Sequence, residues 1–157
     1  MRRAEREVFD ADIVRAFLEN NNIVRIAFNT GGAPYIVPIG YGFDYDGKEL
    51  TLYMHGAKVG RKMELAAGQP NVGFEVDHAG EVVKGETPSD SSISYQSIIG
   101  TGHLQIIEDV TEKEKCFNKI MYQFTGNNRH EYSQKALEMT AALKLVADSF
   151  TMKQAKY

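Results

Sequence analysis

A chain of 157 residues, 43% hydrophobic and 25% charged, suits a single soluble domain with its own core. Its 18 basic and 21 acidic residues leave a net charge of −3, which gives no general field for nucleic acid. No apolar run nears the roughly 20 residues of a membrane span, and a lone cysteine, Cys116, rules out an internal disulfide. No apolar signal core follows the N-terminal arginines, so a cytoplasmic location is the expectation.

The segment Arg2 to Arg6 is charged and belongs on the surface. Asp10 or Asp12 caps a helix carrying Ile13, Val14, Ala16, Phe17 and Leu18, and three asparagines, Asn20 to Asn22, end it. Ile23 to Phe28 is a short strand with Val24, Ile26 and Phe28 on one side. Thr30 to Ala33 forms a hairpin turn into a second strand, Tyr35 to Phe43. Asp46-Gly47 turns the chain into a third strand, Leu50 to His55. A helix starts near Gly60, and Gly68 with Pro70 closes it. Asn71 to Asp77 alternates as a half-buried strand. His78 to Ser92 has the composition of a mobile loop. Ser94 to Glu108 is a long strand interrupted at Gly100 and Gly102, with Ile98 and Ile99 on opposite faces, so that both faces are expected to be covered. Glu112 to Thr125 is an amphipathic helix striped by Cys116, Phe117, Ile120, Met121 and Phe124. A short helix, Tyr132 to Met139, and a final strand, Leu143 to Met152, complete the chain. Hairpins with inserted helices, no βαβ alternation and no GxGxxG exclude a doubly wound nucleotide fold. The expectation is a mainly β (α+β) single domain over 1–157: an antiparallel Greek-key barrel with peripheral helices.

Two stretches carry candidate chemistry. In the second strand one face shows Ile36, Pro38, Gly40 and Gly42, nearly bare of packing side chains. Such a face suits a flat ligand that bonds to backbone; it equally suits an edge strand protected from aggregation. After the third strand comes His55-Gly56-Ala57-Lys58-Val59-Gly60-Arg61-Lys62. Glycines and three cations at a helix start suit an anion such as a phosphate, although cations there also read as a solvated loop, and the GxxxxGK(S/T) spacing of a P-loop is absent. Flavin mononucleotide combines a flat ring with a phosphate. His55, at the strand end, is placed to touch a ligand ring, or is a half-exposed histidine without a role. His78, His103 and His130 are scattered with no metal-ligand spacing. Cys116, on an apolar stripe, reads as buried filler.

The run PYIVPIGYGFDYDGKELTLYMHGAKVGRKMEL resembles the nitroimidazole-reductase-like branch of the pyridoxamine-phosphate-oxidase superfamily. VGFEVD, YQSIIGTGHLQIIED, MRRAERE and EKEKCFNKIMYQFTG extend the resemblance over nearly the whole chain. The resemblance implies an FMN-binding split barrel, a homodimer with FMN at the subunit interface, and a small-molecule substrate. It implies that Val37, Pro38 and Ile39 line the flavin ring, that Tyr53 and His55 face the cofactor, that Lys58, Arg61 and Lys62 hold its phosphate, and that Ser97 lies close by. His55 is the implied catalytic residue, near the reactive side of the ring. A cysteine that relatives often carry before the YxS motif is missing, and Arg129-His130 does not match the C-terminal arginine-x-histidine of true pyridoxamine-phosphate oxidases. The function expected is therefore an FMN-dependent reductase of electron-poor compounds such as nitroaromatics. The alternatives are a non-catalytic FMN-binding redox protein and a haem-binding split barrel with a histidine as axial ligand.

Overall fold

The computed structural model describes residues 3–68 and 70–155; Met1 and Arg2, the start of the charged leader, lie outside them. Among the described residues, seven strands and four helices follow a 3-10 turn at Ala4–Arg6: β1 (Glu7–Val8), α1 (Ala11–Glu19), β2 (Ile23–Phe28), β3 (Tyr35–Tyr45), β4 (Leu50–Ala57), α2 (Arg61–Ala66), β5 (Asn71–Val83), β6 (Ser92–Ile107), α3 (Val110–Thr125), α4 (Gln134–Met139) and β7 (Thr140–Ala155). All pairings are antiparallel, in the order β1-β7-β4-β3-β2-β5-β6, and β6 pairs back onto β7. Six strands thus close a barrel. β2, β3 and β4 are joined by turns, and β5 returns through α2 to lie beside β2, which is the Greek-key order.

Alternation builds the core. Val24, Ile26 and Phe28 of β2 point inward with Leu50, Leu52 and Met54 of β4 and Val72, Phe74 and Val76 of β5. Helix α1 packs onto this core. Asp10 caps it by accepting from the N–H groups of Asp12 and Ile13, and its buried stripe is Val14, Phe17 and Leu18. Its C-terminal carbonyls find partners too: the buried Tyr41 hydroxyl donates to Leu18 O at 2.9 Å, and Gln123 Nε2 of α3 reaches Leu18 O and Asn21 O.

Two expectations change in part. The segment His78–Ser92 is strand at its two ends: β5 runs to Val83 and β6 starts at Ser92, with a register shift between Ala79 and Val82, while residues 84–91 form a loop with a 3-10 turn at Pro88–Asp90. Its polar composition reflects a hairpin arm with exposed faces and the loop at its tip. Gly100 and Gly102 do not end β6, but the β6–β7 register shifts between Thr101 and Gly102, the bulge that a glycine pair suggests. They face inward, where a Cβ would meet Phe74 Cζ and Ser149 O at 2.5 Å, or Val146 O at 2.3 Å. Ile98 is buried as expected, and Ile99, on the outer face, is 59% exposed in the single chain.

Candidate functional site

The barrel wall opens between β3 and β4. These strands pair from Tyr45↔Leu50 as far as Tyr41↔Met54. Before that point β3 pairs with β2, from Gly40↔Ile23 to Tyr35↔Phe28. After it β4 pairs with β7, from His55↔Ala142 to Ala57↔Thr140. Along the split, the second edge of β3 presents backbone donors and acceptors with no described strand opposite, and Pro38 removes one donor. Hydrogen-bonding groups on the rim of a planar ligand could pair with that edge.

Helix α2 crosses one end of the split. Gly60, at φ 104°, supplies the left-handed turn that starts it. Arg61 then stacks its guanidinium 4.8 Å above the Tyr35 ring at the start of β3. Lys62 reaches back over the end of β4, so close that a Cβ on Gly56 would lie 2.3 Å from Lys62 Nζ. Lys62 is half-buried, and burial pulls its ammonium below the usual lysine range. Among the described residues no carboxylate lies within ion-pair distance of it. A buried cation without a counter-ion is costly, and an arriving anion offsets that cost.

His55 stands on the outer face of β4, two residues from Tyr53. Its ring meets Phe117 of α3 edge-on, 6.2 Å between centroids. Burial, and then the charge of Lys62, push its pKa below the usual histidine value, so the imidazole is neutral at pH 7 and can donate from one nitrogen and accept at the other. The Tyr53 hydroxyl is engaged: it donates to Asp44 Oδ2 at 3.1 Å, and Lys119 forms an ion pair with the same carboxylate. Burial, with Asp44 second, raises the Tyr53 pKa to about 12. Beside His55 lies a cavity of about 170 Å³, walled by Phe117, Ile120 and Met121 of α3, Tyr132, and Ala136 of α4.

The structure brings Pro38, His55, Arg61 and Lys62 to the split. Val37 and Ile39 are half-buried and pack against the barrel core, so their backbone rather than their side chains lies at the edge. Lys58 is exposed and lines a different cavity of about 430 Å³, with Met63, Glu64 and Lys113. Ser97 lies on β6, in register with Asp77 and Lys153. Two strands, β2 and β5, separate it from β3, roughly 14 Å around the wall.

The bare face of β3 needs correcting. Ile36 and Pro38 are open, but Gly40 and Gly42 are the seat of α3: a Cβ on Gly40 would meet Phe124 Cζ at 2.7 Å, and one on Gly42 would meet the Lys119 backbone at 2.4 Å. Their glycines admit a helix, not a ligand. Sequence reading also missed Tyr35 and Tyr132. The latter carries one signal, a lone aromatic in the polar stretch between α3 and α4.

A family model described as pyridoxamine 5'-phosphate oxidase matches residues 10–154. The chain belongs to this family. No curated protein matches the sequence significantly. Among solved structures, it is similar to a candidate 5-nitroimidazole antibiotic resistance protein from Bacteroides thetaiotaomicron (24% identity, 94% of this chain and 86% of that one, TM-score 0.79). It is also similar to an FAD- and haem-binding protein from Mycobacterium smegmatis (20%, 97% and 74%, TM-score 0.83). A third is the flavocytochrome Anf3 from Azotobacter vinelandii (18%, 100% and 72%, TM-score 0.82). The split barrel expected from the motifs is the fold observed.

Proposed function

We propose that this protein binds a flavin, FMN in particular, along the split between β3 and β4, and uses it to reduce small electron-poor compounds such as nitroimidazoles. The observation that carries the reading is Lys62, a half-buried ammonium without a carboxylate partner, beside Arg61 and at the end of an open strand edge. That arrangement fits a ligand with a planar polar ring and a phosphate. The family match and the flavin-binding neighbours support a flavin. Pyridoxamine phosphate oxidation is not the activity proposed, because the arginine-x-histidine pair is absent from the C-terminal region.

Each residue then has a task. Lys62 and Arg61 hold the phosphate by charge-assisted hydrogen bonds. Val37 and Ile39 offer backbone groups to the ring edge, and Pro38 lies against it. His55 donates a hydrogen bond to the substrate, holding it in place as charge builds on it. The bound flavin supplies the electrons. Ser97 joins the site from a second copy of the chain. Because two neighbours also bind haem, a haem reading with His55 as ligand is the second possibility.

The absorption spectrum of purified protein separates flavin from haem. A single-turnover assay then tests the chemistry without a natural donor: bound flavin is photoreduced without oxygen and mixed with a nitroimidazole. Return of the oxidised flavin spectrum, slowed about tenfold in His55→Ala by loss of one hydrogen bond, is expected. Reduced flavin that persists in the presence of the nitro compound makes the protein a carrier rather than a reductase.

A further inference from the structure

We infer that Tyr35 is a positioning residue for the flavin phosphate: its ring holds the Arg61 guanidinium on the β3 side of the split, while Lys62 lies on the β4 side. This deepens the flavin reading and rests on it for the identity of the anion; the stack itself rests on geometry. Arg61 and Lys62 are neighbours at the start of α2, yet they reach different strands. The guanidinium carbon of Arg61 is 4.8 Å from the centroid of the Tyr35 ring, at the first residue of β3. Lys62 lies over Gly56, one residue from the end of β4. An anion at this end of the split is thus met from both strands.

The ring is a fixed support. Tyr35 is half-buried and packs against the barrel core. It pairs in register with Phe28, whose buried ring stands 6.3 Å away. Arg61, by contrast, is exposed, and a free arginine samples many rotamers. Cation–π attraction restricts it without supplying a counter-ion. Among the described residues no carboxylate lies within ion-pair distance of Arg61.

The neutrality of the support matters. A carboxylate in place of Tyr35 would also hold the arginine, but it would occupy the N–H groups that a phosphate needs and would repel the phosphate charge. A ring leaves the cation's charge for the ligand. A phosphate that meets a placed guanidinium does not have to order a free one, and ordering one such side chain weakens binding roughly two- to tenfold.

Two measurements test the inference. In the flavin-free full chain, NMR of the arginine side chains should show Arg61 shifted by the ring current in wild type and in Tyr35→Phe, and unshifted in Tyr35→Leu. Fluorescence titrations with FMN and with riboflavin follow the consequence. Tyr35→Leu should bind FMN about fivefold more weakly and Tyr35→Phe as tightly as wild type, while riboflavin binds all three alike. In the Arg61→Ala background, Tyr35→Leu should cost nothing further. An Arg61 unshifted in wild type, a loss in Tyr35→Phe equal to that in Tyr35→Leu, an equal loss for riboflavin, or a loss that persists without Arg61 overturns the inference. FMN affinity unchanged by Arg61→Ala removes the phosphate from Arg61, and so refutes the underlying flavin placement even where the ring-current shift confirms the stack.

Discussion

Lys62 is the residue whose physics is most at odds with a ligand-free role. Burial lowers its pKa below 10.5, so near pH 10 the unfolded chain holds more protons than the folded one. The sign follows. The buried charge costs stability at every pH below the folded pKa, and the cost disappears once pH passes the unfolded value. Apo Lys62→Met should therefore be at least as stable as the apo wild type at neutral pH, with any advantage vanishing above about pH 10.5. Its FMN affinity should drop about ten- to a hundredfold, the worth of one charged hydrogen bond. Riboflavin, which has no phosphate, should bind both proteins alike. Urea melts and titrations with the two flavins check this. An unstable variant that binds FMN as tightly as wild type would make Lys62 a structural residue and move the phosphate elsewhere.

At the scale of elements, α3 does more than cover the barrel. It rests on Gly40 and Gly42, packs Phe117 against His55, and buries Cys116 between Met54 and Leu143. Gly42→Ala would put a Cβ 2.4 Å from both C and O of Lys119, backbone atoms that cannot swing away. The helix must lift, at a cost of about 1–3 kcal/mol, and Phe117 lifts with it. A lowered melting temperature together with a changed His55 NMR environment is expected. Gly68→Ala, with nothing within 4 Å, is the control and should leave both unchanged. An undisturbed Gly42→Ala would mean that α3 is not seated on β3. This contact also shows where sequence reading stops. Alternation placed the inward residues of β2 and β5 correctly because a two-residue period reports burial directly. A run without side chains reports only that something lies close, and α3 begins more than sixty residues later. The cations of α2 and His55 were legible because charge near glycine has few uses. Phe117 and Tyr132 were not, since an aromatic at a stripe or in a loop looks the same whether it lines a cavity or fills one.

The whole molecule leaves the outer wall of the barrel around β2, β5 and β6 in solvent. Register places Pro38, Arg25, Glu75, Ile99 and Thr151 in one row across β3, β2, β5, β6 and β7. Arg25 is bound to Glu75 and Asp77, which satisfies the charges within this face. Ile36 and Ile99 remain 58% and 59% exposed, and Val82 and Ile93 extend an arm of the β5–β6 hairpin beyond the barrel. We propose that a second copy of the chain covers this face, burying roughly 800 Å² per partner, as a stable interface does. The same copy would bring its Ser97, which in its own chain is two strands removed from β3, to the other's split. Ile99→Arg tests both halves of the argument. It lies outside the core, so the monomer should fold, but a long charged side chain beside the Arg25–Glu75 pair would have to be desolvated when the face is covered. Light scattering at micromolar concentration should give a dimer for wild type and a monomer for Ile99→Arg. Flavin affinity should fall with the loss of the partner, although Arg61 and Lys62 are untouched. A wild-type monomer that retains its flavin would show that one chain builds the whole site, and Ser97 would then have no part in it.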